Sequence, residues 1–117
     1  MEVRGLSWMG VRVSDFAGAS EFFRRLGLEH ERTEGEMAVF KAKNGDTVEV
    51  FGPGDEDHRH FDSGPVVGFE VEDIEAAQRE LESAGAKFIG SIERGGGFAW
   101  AHFRGPDGFV YELTARE

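Results

Sequence analysis

Two glutamates, Glu49 and Glu112, are the residues best placed for shared chemistry in this 117-residue chain. A shift of 63 residues lays Phe40, Gly45 and Glu49 over Phe103, Gly108 and Glu112. A shift of 58 lays Gly10-Val11-Arg12-Val13-Ser14-Asp15 over Gly68-Phe69-Glu70-Val71-Glu72-Asp73, with Ala19 on Ala77 and Gly27 on Gly85. Such an internal repeat means two copies of one supersecondary unit, each too small to bury its own apolar face. Matched positions then converge on a shared concave surface. Two carboxylates brought together there without a metal compete for a proton or hold a cation. His102 adds an imidazole, read either as a general acid/base or substitute ligand beside Glu112, or as a strand histidine filling a half-polar face. Trp8 and Trp100 are either a stacking platform or core filler. Arg12 and Glu70 occupy matched repeat positions and read as an ion pair across the boundary between the copies, and both are candidate ligand contacts.

The elements that must position these groups follow from periodicity. Leu6 to Ser14 alternates as a strand, and Asp15 then caps a helix over 15–27 whose stripe is Phe16, Ala19, Phe23 and Leu26, with Gly27 as its stop. In the second copy Asp73 caps a helix over 73–85, with Ile74, Ala77, Leu81 and Ala84 on the stripe and Gly85 as stop. Strands are expected at 28–34, 36–43 and 46–52, then at 86–93, 97–104 and 109–114, so the unit is βαβββ, twice. Residues 52–64 (GPGDEDHRHFDSG) form a polar linker. Its Asp-Glu-Asp-His-Arg-His run lacks the spacing to converge on a metal and reads as a solvated crossover. Gly95-Gly96-Gly97 precedes a strand instead of a helix, so it is a flexible approach or flap and no phosphate loop.

One turn decides which side chains share a face. Pro106-Asp107-Gly108 suits a three-residue hairpin with glycine in the left-handed region, pairing Gly105 with Phe109. Counting back puts His102 opposite Glu112 and Trp100 opposite Thr114, all on one face, while Ala99, Ala101 and Phe103 lie under the helix. A two-residue turn would reverse every side chain. Lys43-Asn44-Gly45 allows the equivalent turn in the first copy, with Val39 and Met37 on the face of Glu49.

Bulk composition narrows the function classes. The length suits a single domain, residues 1–117, with one copy at 1–52, a linker at 53–64 and the other copy at 65–117. Without cysteine there is neither a disulfide framework nor a thiolate metal site. Thirteen Lys and Arg against 23 Asp and Glu give a net charge of −10, which argues against nucleic acid and membrane as partners. No membrane span or signal peptide is read, so a cytoplasmic location is expected.

GVRVSDFAGASEFFRRLGL, followed by RGPDGFVYEL, resembles the vicinal oxygen chelate superfamily, which includes glyoxalase I, bleomycin-resistance proteins, fosfomycin-resistance enzymes and extradiol dioxygenases. The resemblance covers nearly the whole chain. It implies an α+β fold of two βαβββ modules in pseudo-twofold arrangement, forming a curved mixed-sheet cup that is often completed in a homodimer. In metal-using members each module gives one ligand from its first strand, usually His, and one from its last, usually Glu. The Glu positions match Glu49 and Glu112, but the His positions fall on Trp8 and Val66. An indole N–H only donates and valine has no lone pair, so no cofactor is favoured and a divalent metal is the alternative.

Three readings of function follow. The first is a metal-free protein binding a small, aromatic or cationic molecule through Trp8, Arg12, Glu49, Glu70, Trp100, His102 and Glu112. The second is a metal-dependent lyase, isomerase or dioxygenase, with Glu49, Glu112 and His102 as ligands and His102 and Glu112 as catalytic groups. The third is an acidic partner-binding module with a vestigial cup. A homodimer is expected in each case.

Overall fold

Asp15 and Asp73 start the two helices as the repeat requires. In the computed structural model, which describes all 117 residues, the Asp15 carboxylate accepts from Gly18 N at 2.9 Å and that of Asp73 from Ala76 N at 3.0 Å. These bonds satisfy amide donors that the first helical turn leaves without partners. Helix α1 runs Phe16–Leu26 and ends at Gly27, whose φ of 107° lies in the left-handed region. Helix α2 runs Ile74–Ser83 and closes through Ala84 to Gly85, at φ 101°. Eight strands complete the chain: β1 (Gly5–Arg12), β2 (Glu29–Glu34), β3 (Met37–Lys41), β4 (Thr47–Phe51), β5 (Val66–Glu70), β6 (Lys87–Gly95), β7 (Phe98–Arg104) and β8 (Val110–Arg116). The expected βαβββ order is present in both copies.

The chain divides into two units, Trp8–Val66, and Met1–Ser7 together with Val67–Glu117. In the first, β2, β3 and β4 are antiparallel neighbours and β4 runs parallel to Trp8–Arg12 of β1. Ala38, Phe40 and Val50 are buried on one face beneath Phe16, Ala19 and Phe23 of α1. Leu26, expected on that stripe, is 65% exposed, and Ser20 is buried instead. With 3.6 residues per turn, a stripe set by Phe16, Ser20 and Phe23 leaves the i+10 position on its flank. In the second unit, β6, β7 and β8 are antiparallel neighbours and β8 runs parallel to β5. Ala99, Ala101, Phe103, Leu113 and Ala115 form a core with Ile74 and Ala77 of α2. Ala84 was expected on this stripe, but it caps the helix and is exposed.

Both long hairpins take the three-residue turn. Gly105 N donates to Phe109 O at 3.0 Å with Gly108 at φ 84°, and Ala42 N donates to Asp46 O at 2.8 Å with Gly45 at φ 93°. The Asp107 carboxyl is held below the usual carboxylate range, first by the Tyr111 hydroxyl and then by Phe109 N–H. That contribution to the turn is present above the unfolded pKa of an aspartate and lost as pH falls through the lowered value. The Gly95-Gly96-Gly97 segment differs from expectation. Strand β6 continues to Gly95, which pairs with Phe98, and Gly96 and Gly97, at φ 60° and 83°, make a two-residue hairpin loop. Positive φ at both central positions is what the favoured two-residue loop demands.

The polar segment 53–64 is more ordered than a solvated crossover. His58 stacks on Phe51 at 3.8 Å, its Nδ1 lies 3.0 Å from Asp55 Oδ2, and Phe61 is 3% exposed. Three aromatic rings offset the polarity of their neighbours, a signal that the charge pattern of the segment hides.

Candidate functional site

Register places the two glutamates identically in their units. Glu49 lies between Gly10 of β1 and Val39 of β3, and Glu112 between Gly68 of β5 and His102 of β7. Directly opposed residues project from one face. Trp8, Gly10 and Arg12 therefore share a face with Glu49, Val39 and Met37. Glu70, Trp100 and Thr114 share one with Glu112 and His102. The predicted pairings of His102 with Glu112 and of Trp100 with Thr114 are both observed.

Neither carboxylate is bare. Trp8 Nε1 donates to Glu49 Oε1 at 2.5 Å. The indole reaches it by lying across Gly10, where a Cβ would overlap the ring at Cη2 and Cζ2. The edge of the ring packs on Phe61, centroid to centroid 6.0 Å. His102 Nε2 donates to Glu112 Oε2 at 2.7 Å, with only 11% and 5% of the two side chains exposed. Each glutamate thus accepts from a ring N–H, but from opposite neighbours: the first strand supplies it in one unit and the hairpin strand in the other. A buried carboxylate needs such a partner, because desolvation without one costs several kcal/mol.

The remaining candidates take partners inside their own units. Trp100 Nε1 donates to Glu93 Oε2 at 2.9 Å, and its ring lies along Gly95. The expected pairing of Arg12 with Glu70 is replaced: Arg12 donates to the carbonyls of Pro53 and Asp55, and Glu70 faces Arg116 at 3.6 Å. The folded-back segment 53–55 offers Arg12 carbonyl acceptors close at hand. Sequence reasoning missed Glu93 as the partner of Trp100. Counting back from a two-residue Gly96-Gly97 loop finds it, since Gly95 opposite Phe98 sets Glu93 opposite Trp100.

Two βαβββ units with a glutamate at the same register point of each final sheet pair define the class of protein. The chain belongs to the Glyoxalase/Bleomycin resistance protein/Dioxygenase superfamily, whose profile matches residues 5–113. Solved structures with this fold include methylmalonyl-CoA epimerase from Mycobacterium tuberculosis (21% identity, TM-score 0.74, covering 98% of this chain and 89% of that one). The Mn(II)-bound glyoxalase from Novosphingobium aromaticivorans is similar at 21% identity and TM-score 0.77, over 97% of this chain and 39% of the other. A superfamily member from Vibrio splendidus 12B01 is 22% identical with TM-score 0.68, over 92% and 95%. Comparison with curated proteins finds no match.

The residues present do not fit the divalent metal that a manganese-bound relative brings to mind. At the first-strand positions stand Trp8, whose only polar atom is a donor already given to Glu49, and Val66, which is 2% exposed. Within either unit no three His, Asp or Glu side chains gather as a metal would need. The alternative set of Glu49, Glu112 and His102 has two of its three members bonded to each other. No helix is long and apolar enough to cross a membrane.

Proposed function

We propose that this protein binds a small amphipathic molecule, with a planar aromatic or cationic part, on its glutamate-bearing faces and without a tightly bound metal. The observation that carries the reading is the 2.5 Å bond from Trp8 Nε1 to Glu49. It converts a position that ligates metal in metal-using relatives into an aromatic surface backed by a carboxylate. Glu49 keeps Oε2 for a guest, and Trp8 and Trp100 each present a ring fixed at its N–H end by a glutamate. A cation over such a ring gains about 0.5–2 kcal/mol, worth severalfold to tens of times in affinity. The exposed side chains of Leu6, Phe22 and Leu26 suit a homodimer as the working form.

Both tryptophans of the chain are in the proposed surface, so intrinsic fluorescence reports binding. In a screen of cationic aromatic compounds we expect saturable quenching that weakens in Trp8→Ala, in Trp100→Ala and in the Glu49→Gln/Glu112→Gln pair. Binders whose affinity ignores all three changes place the site elsewhere and overturn the reading.

A second reading rests on the buried His102–Glu112 pair, which has the composition of a proton-transfer centre. On that reading the chain is a lyase or isomerase of the kind that its epimerase-named neighbours represent. Deuterium uptake from solvent into a carbon acid, abolished by Glu112→Gln, is its signature.

A further inference from the structure

We infer that the cleft beside Arg12 is a binding site for an organic anion, a carboxylate or phosphate monoester carrying an apolar group. The cleft is about 450 Å³ and lies wholly within the Trp8–Val66 unit. It is lined by Arg12, Ser14, Pro53, Arg59, Phe61 and Asp62, together with Val13. The assignment does not depend on the reading above, although Arg12 shares the face of Trp8 and Glu49.

The argument starts from Arg12. Its guanidinium is half-buried and meets no carboxylate; one amino nitrogen donates to the carbonyls of Pro53 and Asp55, at 3.3 and 3.2 Å. Its Nε is shut off from solvent and has no acceptor. Buried donors in native proteins are nearly always satisfied, and an exception points to a missing water or ion. A half-buried guanidinium neutralised only by peptide dipoles is also short of a counter-charge. In a chain of net charge −10, a second arginine on the same small cleft is against the trend of the surface. Arg59 is tied only to Glu56, an exposed partner at 3.2 Å, and such exposed pairs are weak enough to give way to a ligand. Guanidinium groups suit planar or tetrahedral oxyanions because their N–H donors form a fixed fork. The Ser14 hydroxyl adds a neutral donor, and Val13 and Pro53 give the apolar part of the ligand a surface. Asp62 on the same rim opposes an anion, which supplies a test of opposite sign.

Calorimetric titration of the intact protein with phenyl phosphate at low ionic strength tests the assignment, with inorganic phosphate as the probe lacking an apolar group. We expect saturable binding of phenyl phosphate, tighter than that of inorganic phosphate. Loss of one charge-assisted contact predicts a fall of about tenfold in Arg12→Gln and of severalfold in Arg59→Gln. Asp62→Asn should tighten binding. Arg12→Gln also frees the carbonyls of Pro53 and Asp55, so its fold is checked by circular dichroism; if it fails, Arg59→Gln and Asp62→Asn decide. Absence of saturable heat, or binding indifferent to Arg59→Gln and Asp62→Asn, overturns the assignment.

Discussion

Changing His102 to alanine should lower the unfolding free energy by about 3–5 kcal/mol, the cost of stripping one partner from a buried ion pair. Glu112 is the cause: 5% of its side chain is exposed, and His102 Nε2 donates to it at 2.7 Å. With the imidazole gone, the buried carboxylate loses a donor that solvent is poorly placed to replace. In a domain of this size the loss corresponds to a fall of roughly 10 °C or more in melting temperature. Two companions separate the pair from the cavity. His102→Gln keeps an N–H donor and should recover a good part of the stability. His102→Leu/Glu112→Leu removes both polar groups and should be closer to wild type than either single change, since hydrophobic replacement of a whole buried pair is often neutral. A His102→Ala protein that melts within a degree or two of wild type would show that the pair does not hold the sheet.

Gly10→Val should cost about 1–3 kcal/mol of stability through overpacking, although valine is a better strand residue than glycine. Strand propensity favours the change by at most about 1 kcal/mol, so steric overlap decides the sign. The overlap is specific: a Cβ at position 10 enters the indole of Trp8, which lies over that α-carbon to reach Glu49. The indole must swing away, Glu49 loses its donor, and the proposed ligand surface is lost with it. Trp8→Ala/Gly10→Val should then be less damaging than the two single costs added together, because the valine fills space that the indole has left. Additive effects in the double-mutant cycle would mean that the indole does not rest on Gly10.

Much of this architecture was legible because turns and caps act locally. Asp15, Gly27, Asp73 and Gly85 marked both helices, and the glycines at 45 and 108 set hairpin registers that carried His102 to Glu112. The approach of Gly10 to Glu49 was harder, since it depends on a parallel pairing between strands far apart in sequence. Side-chain hydrogen bonding was least legible. The repeat correctly aligned Glu49 with Glu112, yet nothing local showed that an indole would serve one and an imidazole the other. Charge pattern misled in segment 53–64, where the stacking of His58 on Phe51 and the burial of Phe61 order a stretch that composition marks as solvated. Matched positions also suggested that Arg12 and Glu70 pair; each takes a partner inside its own unit, which sequence symmetry does not reveal.

The most direct test of the central claim is one titration performed twice, on protein as purified and on protein stripped with EDTA and dialysed, using the best binder from the fluorescence screen. If Trp8 has replaced a metal ligand by an aromatic surface, the two dissociation constants agree and added Mn(II) changes neither. Affinity that disappears on stripping and returns with Mn(II) would contradict the account and make this protein a metal-dependent member of its superfamily.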